Sequence, residues 1–412
     1  MTFVLVTHNH IDHTGRLPFL VKNGFNKKIY LTKGTSLLIG SALEDSCKVI
    51  QEDAKIYGKK RKAIYNYDDL DRTTKLIEAV DFEQTIQIDE HIRVTFFMNG
   101  HLFGAAMILV QISYEGYEDI NLFFTGDYND NNMFFDVDPL PEWVTRLPVT
   151  IVIESTYGNM QSSDVKKVFK ENSLRALKQG KIEVAPVFSL GRAQEGLSET
   201  KKWQDSGELS TEIPIYLAGK LSWGYTNILL KNPEVFRIKK DMQNFLPKNF
   251  HYVDNDTLKI LLLNKNPKLI FTSSGMATHG PALTLVPQYL RDFNAMIHFM
   301  GYLAENSKGY EIMHTPYGES VKFKGRMIPK FAEVYSTSEH SAHAKGDVLI
   351  KLLNMFVDKR MVIVNHGQTA VQNIFAQQVV KQTNARDVGI FGGENIFRVD
   401  HWGYVKSKKV KF

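Results

Sequence analysis

The residues best suited to chemistry lie almost at the start of the chain. Within six positions there are three histidines and one aspartate: His8, His10, Asp12 and His13. Imidazole and carboxylate groups together are ligands that suit zinc and similar divalent ions. Because four potential ligands share so short a loop, we interpret it as a metal-binding loop. The alternative, a polar surface loop with chance histidines, fits the spacing poorly.

The elements that flank this loop can be predicted from their own residues. The run from Phe3 to Val6 is short, continuous and apolar, as is typical of a buried strand. Beyond the loop, Pro18 falls in the first turn of a predicted helix, where its missing N–H costs little. The loop therefore joins a strand to a helix, and such connections commonly carry functional residues.

Further residues with ligand or acid–base chemistry also follow predicted strands. The strands predicted at 92–98, 122–125, 149–153 and 361–364 are followed in turn by His101, Asp127, Glu154 and His366. His343 precedes a helix predicted at 346–355. For His101, Asp127 or His366 taken singly, a structural role would be the better interpretation. As an ordered set they indicate one functional site.

The middle of the chain has a different pattern. Before it, a helix is predicted at 69–79. From about residue 160 to residue 338, helices and strands alternate regularly, which predicts a parallel sheet flanked by helices. Backbone N–H groups at helix starts and small-residue turns favour phosphate groups, and Arg192 and the turn Ser273, Ser274 and Gly275 occupy such places. Each of these signals is weak alone, since small-residue turns are common.

The length and composition of the chain limit the classes of protein to which it can belong. The 412 residues suggest two or three domains, and the net charge of +5 is compatible with a polyanionic partner without demanding one. The single cysteine, Cys47, excludes a disulfide framework and a cysteine-based zinc site. No apolar run is long enough to cross a membrane, and no secretory signal is visible. We therefore expect a cytoplasmic protein with no membrane contact.

Taken in order, these motifs resemble the metallo-β-lactamase superfamily, specifically its β-CASP branch of nucleic-acid-processing nucleases. The set of motifs is most similar to that of bacterial and archaeal relatives of the endonuclease of the eukaryotic cleavage and polyadenylation specificity factor. The residues that match the family's motifs are His8, His10, Asp12, His13, His101, Asp127, Glu154, His343 and His366. Supporting matches lie at 191–195, 273–276 and 301–302. The resemblance runs from the first residues to about residue 393.

The resemblance implies a fold and a division into domains. It implies an α/β protein in which a metallo-β-lactamase αββα sandwich, residues 1–159 and 339–412, carries the metals. A β-CASP α/β domain, residues 160–338, is inserted into it. The resemblance also implies contacts between the inserted domain and the substrate, and the residues that match are Arg192, Ser273, Ser274, Gly275 and Tyr302.

The resemblance further implies two zinc ions (Zn²⁺) and a hydrolytic mechanism. By the family pattern one zinc would be bound by His8, His10 and His101, the other by Asp12, His13 and His366, and Asp127 would bridge them. The metals would activate a shared water for in-line attack on a phosphodiester. The predicted catalytic residues are Asp12, His343 as the proton donor to the leaving oxygen, and Glu154 as its partner.

The function implied is that of a zinc-dependent ribonuclease that leaves 5′-phosphate and 3′-hydroxyl ends. The expected partner is RNA, single-stranded RNA in preference to DNA, and a homodimer is compatible with the sequence. Endonuclease and exonuclease action both stay open. Two alternatives come from other classes. One is a non-catalytic RNA-binding subunit, which would be expected to have lost metal ligands. The other is a metallohydrolase of small esters, which would need no inserted domain.

The chain departs from the family pattern in two places. In the family, a pair of strands and an aspartate motif precede the metal loop, whereas this chain starts at the strand that leads into it. We expect either a start upstream of Met1 or a shortened sandwich that lacks its first strands. The second departure follows Gly301, where a glycine-rich segment of the family is replaced by residues 303–310.

Overall fold

The computed structural model divides the chain into two compact units. It describes residues 1–58, 63–165, 167–301, 303–337, 339–392, 395–399 and 405–409. The first unit comprises Met1–Asp164, Val235–Arg237 and Ala342–Phe412, and the second unit comprises Val165–Glu234 and Ile238–Ser341. The predicted domain ranges stay a prediction.

The helices and strands alternate along much of the chain. Up to residue 164 they are β1 (Val4–Leu5), α1 (Ile11–Thr14), α2 (Leu17–Lys22), β2 (Ile29–Thr32), α3 (Lys33–Tyr57), α4 (Tyr67–Thr74), β3 (Ile77–Val80), β4 (Thr85–Gln87), β5 (Ile92–Met98), β6 (Ala106–Ile112), β7 (Ile120–Phe124), α5 (Glu142–Thr145) and β8 (Pro148–Ile153). From 165 to 341 they are α6 (Phe169–Lys178), β9 (Ile182–Pro186), α7 (Arg192–Asp205), β10 (Ile215–Ala218), α8 (Lys220–Lys231), β11 (Phe250–Val253), α9 (Asn255–Leu263), β12 (Lys268–Thr272), α10 (Ala282–Leu290), β13 (Ala295–Met300), α11 (Lys308–His314), β14 (Ser320–Phe323), β15 (Arg326–Pro329) and β16 (Glu333–Thr337). The last are α12 (Gly346–Met355), β17 (Asp358–Val364), α13 (Thr369–Gln382), β18 (Val388–Ile390), β19 (Asn395–Val399) and β20 (Val405–Lys409).

Two sheets pack face to face in the first unit. One has three parallel strands in the order β1-β2-β3, and the other has seven strands in the order β18-β17-β8-β7-β6-β5-β4. Side chains alternate between the faces of a strand. In β5, Phe96 packs between the two sheets, whereas its neighbour Phe97 lies on the opposite face, in the core that also contains Leu349 of α12 and Phe375 of α13.

Helices cover the outer faces of both sheets. Ile39 and Leu43 of α3 pack with Ile29 and Leu31 on the outer face of the three-stranded sheet. Helices α12 and α13 cover the outer face of the seven-stranded sheet. The layers are therefore helix, sheet, sheet and helix, so the predicted αββα sandwich is confirmed.

The second unit is built on a six-stranded sheet. Its order is β11-β10-β12-β9-β13-β16, and every pairing within it is parallel. Helix α10 buries Leu285, Val286 and Tyr289 against Ile182 and Ile270 of this sheet. The alternation of helix and strand in the sequence predicted this architecture correctly.

One predicted element was wrong. The helix predicted at 69–79 ends at Thr74, and Ile77–Val80 forms strand β3, paired in parallel with β2. As a strand, this segment places Ile77 in the core under α3 and Val80 in the core between the two sheets, so both apolar side chains are packed. In the described part of the chain, no helix combines the length and the apolar character needed to span a membrane.

Candidate metal centre

Four of the predicted site residues follow strands that end at one edge of the seven-stranded sheet. Strands β7, β8 and β17 are mutually parallel neighbours, and β5 runs in the same direction because it is separated from β7 by the antiparallel β6. The carboxyl ends of all four strands therefore lie at the same edge. The residues that follow them are His101, Asp127, Glu154 and His366.

The metal loop reaches this edge from the other sheet. After β1, the carbonyl of Thr7 accepts a hydrogen bond of 2.8 Å from the backbone N–H of Ala106, at the start of β6. His10 then caps the short helix α1, on which Asp12 and His13 lie. This contact holds the loop from 8 to 13 against the strand ends of the second sheet.

One group of potential ligands is deeply buried. His10 Nδ1 lies 3.2 Å from His8 Nε2 and 3.2 Å from His101 Nε2. Asp127 Oδ2 lies 3.4 Å from His8 Nε2 and 3.6 Å from His101 Nε2. The ligand atoms of these four residues all lie within 4.8 Å of one another. Their spacing and donor types are those of a site that could bind one metal ion.

A second group lies beside the first and is more exposed. Asp12 Oδ2 lies 3.5 Å from His13 Nε2 and 3.6 Å from His366 Nε2. Asp127 stands between the groups, since its Oδ2 is 3.4 Å from His13 Nε2 and its Oδ1 is 3.5 Å from His366 Nδ1. The structure thus brings all seven predicted ligand residues together around Asp127.

The pKa values of the buried group favour the protonation states that bind a cation. Burial lowers the pKa of His8 and His101 well below the usual value, and that of His10 to about 4. These imidazoles are neutral at pH 7, the form in which histidine binds a metal. Burial alone would raise the pKa of Asp127, but its histidine neighbours, His13 first, hold it well below the usual range. The aspartate is therefore ionised and ready to act as a ligand.

The outer contacts also fit a metal site. Ligand histidines usually use their second ring nitrogen for a hydrogen bond that fixes the ring. His8 Nδ1 lies 3.1 Å from Thr7 Oγ1, and His101 Nδ1 lies 3.1 Å from the carbonyl oxygen of Ala342. Asp127 Oδ1 is buried and has no hydrogen-bond partner in the described part of the chain. A cation would satisfy this oxygen, so the residues present fit a metal.

His343 and Glu154 form a pair beside the two groups. His343 Nδ1 lies 2.9 Å from both carboxylate oxygens of Glu154. Glu154 is held in turn by the backbone N–H of Tyr128, which donates to Oε1 at 2.6 Å. Burial would lower the pKa of His343, but the charge of Glu154 outweighs it and raises that pKa above its usual value. The other nitrogen, Nε2, lies 3.9 Å from Asp127 Oδ2 and so faces the centre.

Asn99 has a role that could not be predicted from the sequence. This buried side chain donates to the carbonyls of Thr125 and Asp127, at 2.9 and 2.6 Å, and accepts from the backbone N–H of His101 at 2.9 Å. It therefore fixes the loops after β5 and β7 to each other. Its position directly after a buried strand was visible in the sequence, but no spacing rule singles out such an asparagine.

The predicted substrate contacts lie in the second unit, and two of them already interact with other residues of the protein. Arg192 begins α7, is 6% exposed and pairs with the carboxylate of Glu195. Ser274 Oγ accepts hydrogen bonds from the backbone N–H groups of Thr278 and His279, at 3.1 and 3.2 Å.

The other predicted substrate contacts are Ser273, Gly275 and Tyr302. Ser273 is half-buried and Gly275 is buried in the same turn. Tyr302 lies outside the described residues. The role of these residues in substrate binding stays a prediction.

Comparisons with known proteins identify similar chains. A model of the Beta-Casp domain matches residues 197–312. The transcription termination factor FttA of Methanosarcina mazei is 29% identical over 75% of this chain and 48% of its own length. The endoribonuclease ysh1 of Schizosaccharomyces pombe is 26% identical over 95% of this chain and 51% of its own. The RNase J-like protein of Methanocaldococcus jannaschii is 27% identical over 92% and 84%. The chain thus spans about half the length of the first two relatives.

Proposed function

We propose that this chain, which belongs to the β-CASP branch of the metallo-β-lactamase superfamily, is a metal-dependent ribonuclease. The observation that carries the proposal is the convergence of six potential ligands on a seventh, Asp127, with the His343–Glu154 pair beside them. A centre of this composition suits hydrolysis of a phosphodiester. The names of two relatives, an endoribonuclease and an RNase J-like protein, favour RNA as the substrate.

The proposed cofactor is a pair of zinc ions. His8, His10 and His101 would bind one ion, Asp12, His13 and His366 the other, and Asp127 would bind both. Nitrogen-rich donor sets of this kind are typical of zinc. When bound, the ions supply a nucleophilic water at neutral pH and neutralise charge on the phosphate.

The protein's own residues supply the proton that the reaction needs. In the described arrangement, Glu154 accepts from His343 Nδ1, which leaves Nε2 directed towards the centre. The charge of Glu154 raises the pKa of His343 and so favours the protonated ring, which can donate the Nε2 proton to the leaving 3′-oxygen. The products would carry 5′-phosphate and 3′-hydroxyl ends.

We propose single-stranded RNA as the preferred form of the substrate and the cytoplasm as the location. The single cysteine, Cys47, is free and buried, as suits a protein of a reducing compartment. A homodimer remains a prediction, which sedimentation velocity can test. A non-catalytic binding subunit is disfavoured because all seven predicted ligand residues are present and lie together.

Cleavage of end-labelled nucleic acids tests the proposal. Purified protein with added zinc is mixed with single-stranded RNA and with DNA of the same sequence. The Asp12→Ala and His343→Ala variants serve as controls. We expect RNA to be cleaved to products with 5′-phosphate ends and both variants to be strongly impaired. Absence of RNA cleavage by the zinc-loaded protein would refute the ribonuclease, and an unimpaired Asp12→Ala variant would refute the assigned metal site.

A further inference from the structure

A surface pocket of the first unit opens beside the more exposed group of ligands. Its volume is about 410 Å³, within the range of about 300–1,000 Å³ that is usual for small-ligand sites. The residues that line it belong to one segment, from the end of the metal loop to the end of α2: His13, Arg16, Leu17, Phe19, Leu20 and Asn23. His13 therefore contributes both to the pocket and to the candidate metal centre.

The pocket combines a flat aromatic surface with a cation. The Arg16 guanidinium lies over the Phe19 ring, 5.9 Å from its centroid, and the Phe19 side chain is 36% exposed. Among the described residues, Arg16 has no carboxylate partner within ion-pair distance. Its charge is thus available to an anion outside the chain, whereas many other surface cations of this unit, such as Lys28, are paired with a carboxylate.

This chemistry fits one nucleotide of a polynucleotide strand. A nucleobase has an apolar face and polar edges, and proteins that bind single strands commonly stack bases on aromatic rings next to arginine. Leu17 and Leu20 give the pocket apolar walls. The Asn23 side chain also lines it: Nδ2 donates to the carbonyl of Phe19 at 2.7 Å, and Oδ1 is an acceptor at the same site. A phosphate linked to that base would meet the positive charge of Arg16.

We propose that this pocket is a base-binding subsite of the proposed ribonuclease. A nucleobase close to the scissile phosphate stacks on Phe19, and Arg16 contacts the backbone phosphate attached to it. The inference rests on the proposed function, because the scissile phosphate lies at the metal centre to which His13 belongs. The subsite therefore places the strand relative to the metals without taking part in the chemical step.

An abasic scan of the substrate tests this subsite. A single-stranded RNA with one defined cleavage site is prepared with the base removed at each position in turn near that site. For the wild-type protein, we expect KM to rise about tenfold at one position and kcat to change little, because stacking of one base contributes roughly that much. For Phe19→Leu, KM should rise similarly on intact RNA, and removal of the same base should then have no further effect.

Matched variants separate the subsite from general surface changes. Phe293 is 78% exposed in the second unit, so Phe293→Leu makes the same change away from the pocket and should leave KM unaltered. Arg16→Gln should raise KM and weaken its salt dependence, whereas Arg326→Gln, on an exposed strand, should not. Hydrolysis of bis(p-nitrophenyl) phosphate by the wild-type protein reports on the metal centre without a nucleobase, and Phe293→Leu should leave it unchanged.

Each outcome bears on one proposal or the other. If the wild-type protein cleaves RNA and Phe19→Leu has an unchanged KM, the subsite is refuted while the ribonuclease stands. If Phe19→Leu instead alters self-association in sedimentation velocity and leaves KM unchanged, the pocket is a protein contact and the subsite is likewise refuted. If the wild-type protein cleaves neither RNA nor the small diester, it is the proposed function that fails.

Discussion

His343 is the residue on which the proposed proton transfer depends. It contacts Glu154 on one side and faces Asp127 on the other. We expect His343→Ala and Glu154→Gln to lower kcat about 10²- to 10⁴-fold, the usual contribution of a positioned acid, with little change in zinc content. The control is His314→Ala, an exposed histidine of α11.

Zinc content decides between two roles for His343. Its ring nitrogen also lies within ligand distance of Asp127 and His366, in a third possible grouping. If His343→Ala loses half of the bound zinc, His343 is a ligand and the acid role is wrong. If the zinc is kept and kcat falls, the acid role is supported. Metal analysis of the purified variant gives this answer together with the kinetics.

The state of His366 makes zinc binding depend on pH. Burial would lower the pKa of His366, but its contact with Asp12 and the charge of Asp127 raise it to about 9. The proton must leave before the nitrogen can bind zinc, so zinc affinity should rise with pH up to about 9 and level off above it. Calorimetry in buffers of different ionisation enthalpy should detect proton release at pH 7. Release that is unchanged in His366→Ala would contradict this account.

At the residue scale, the sequence predicted which side chains meet but not how they are oriented. The ordered residues indicated one site, and the resemblance to the family implied the seven residues that lie together in the structure. Whether His10 presents Nδ1 or Nε2 depends on the backbone of the loop, and the structure has Nδ1 facing His8 and His101. The role of Asn99 depends on two loops that meet only in the folded chain.

At the element scale, the loop that carries His101 is fixed to the start of α3. The carbonyl of Gly104 accepts a hydrogen bond from Thr35 Oγ1 at 2.9 Å. Gly104 has a φ of +77°, and a Cβ at this position would lie 2.5 Å from the backbone nitrogen of Thr35. Both the conformation and the close approach therefore require glycine here.

A pair of glycine variants isolates this contact. Gly116 has a φ of +79°, but a Cβ there would meet nothing within 4 Å. Gly116→Ala should therefore lower the free energy of unfolding by only about 1 kcal/mol, the cost of holding alanine at a positive φ. Gly104→Ala should lower the free energy of unfolding by about 2–4 kcal/mol, because overpacking adds to the same backbone strain. It should also weaken zinc binding, because the loop carries His101. Urea unfolding measures both, and equal costs would contradict the proposed contact.

Elements with a clear apolar pattern were predicted well. Each predicted site strand overlaps an observed strand, and the helix predicted at 346–355 has the bounds of α12. The helix predicted at 69–79 was wrong beyond Thr74, because the sequence alone did not show that Ile77–Val80 pairs with β2. Helix boundaries depend on such partners, which lie far away in the sequence.

At the scale of the whole molecule, the two architectures were predicted in different ways. The resemblance to the family implied the αββα layers of the first unit, and the alternation of helix and strand predicted the parallel sheet of the second. The order of strands in the six-stranded sheet could not be predicted, because it depends on which parallel pairings bury the most apolar surface. The relatives named above are each less than 30% identical to this chain, and their similarity supports the resemblance to the family.

The most direct test of the account is a zinc titration of metal-free protein while RNA cleavage is followed. Because the seven proposed ligands would form two sites that share Asp127, cleavage should be absent without metal and should rise to a plateau at two equivalents of zinc per chain. Asp127→Asn should show little cleavage at the same zinc concentrations. Cleavage that persists in metal-free protein, or that stays absent at every zinc concentration, would contradict the account.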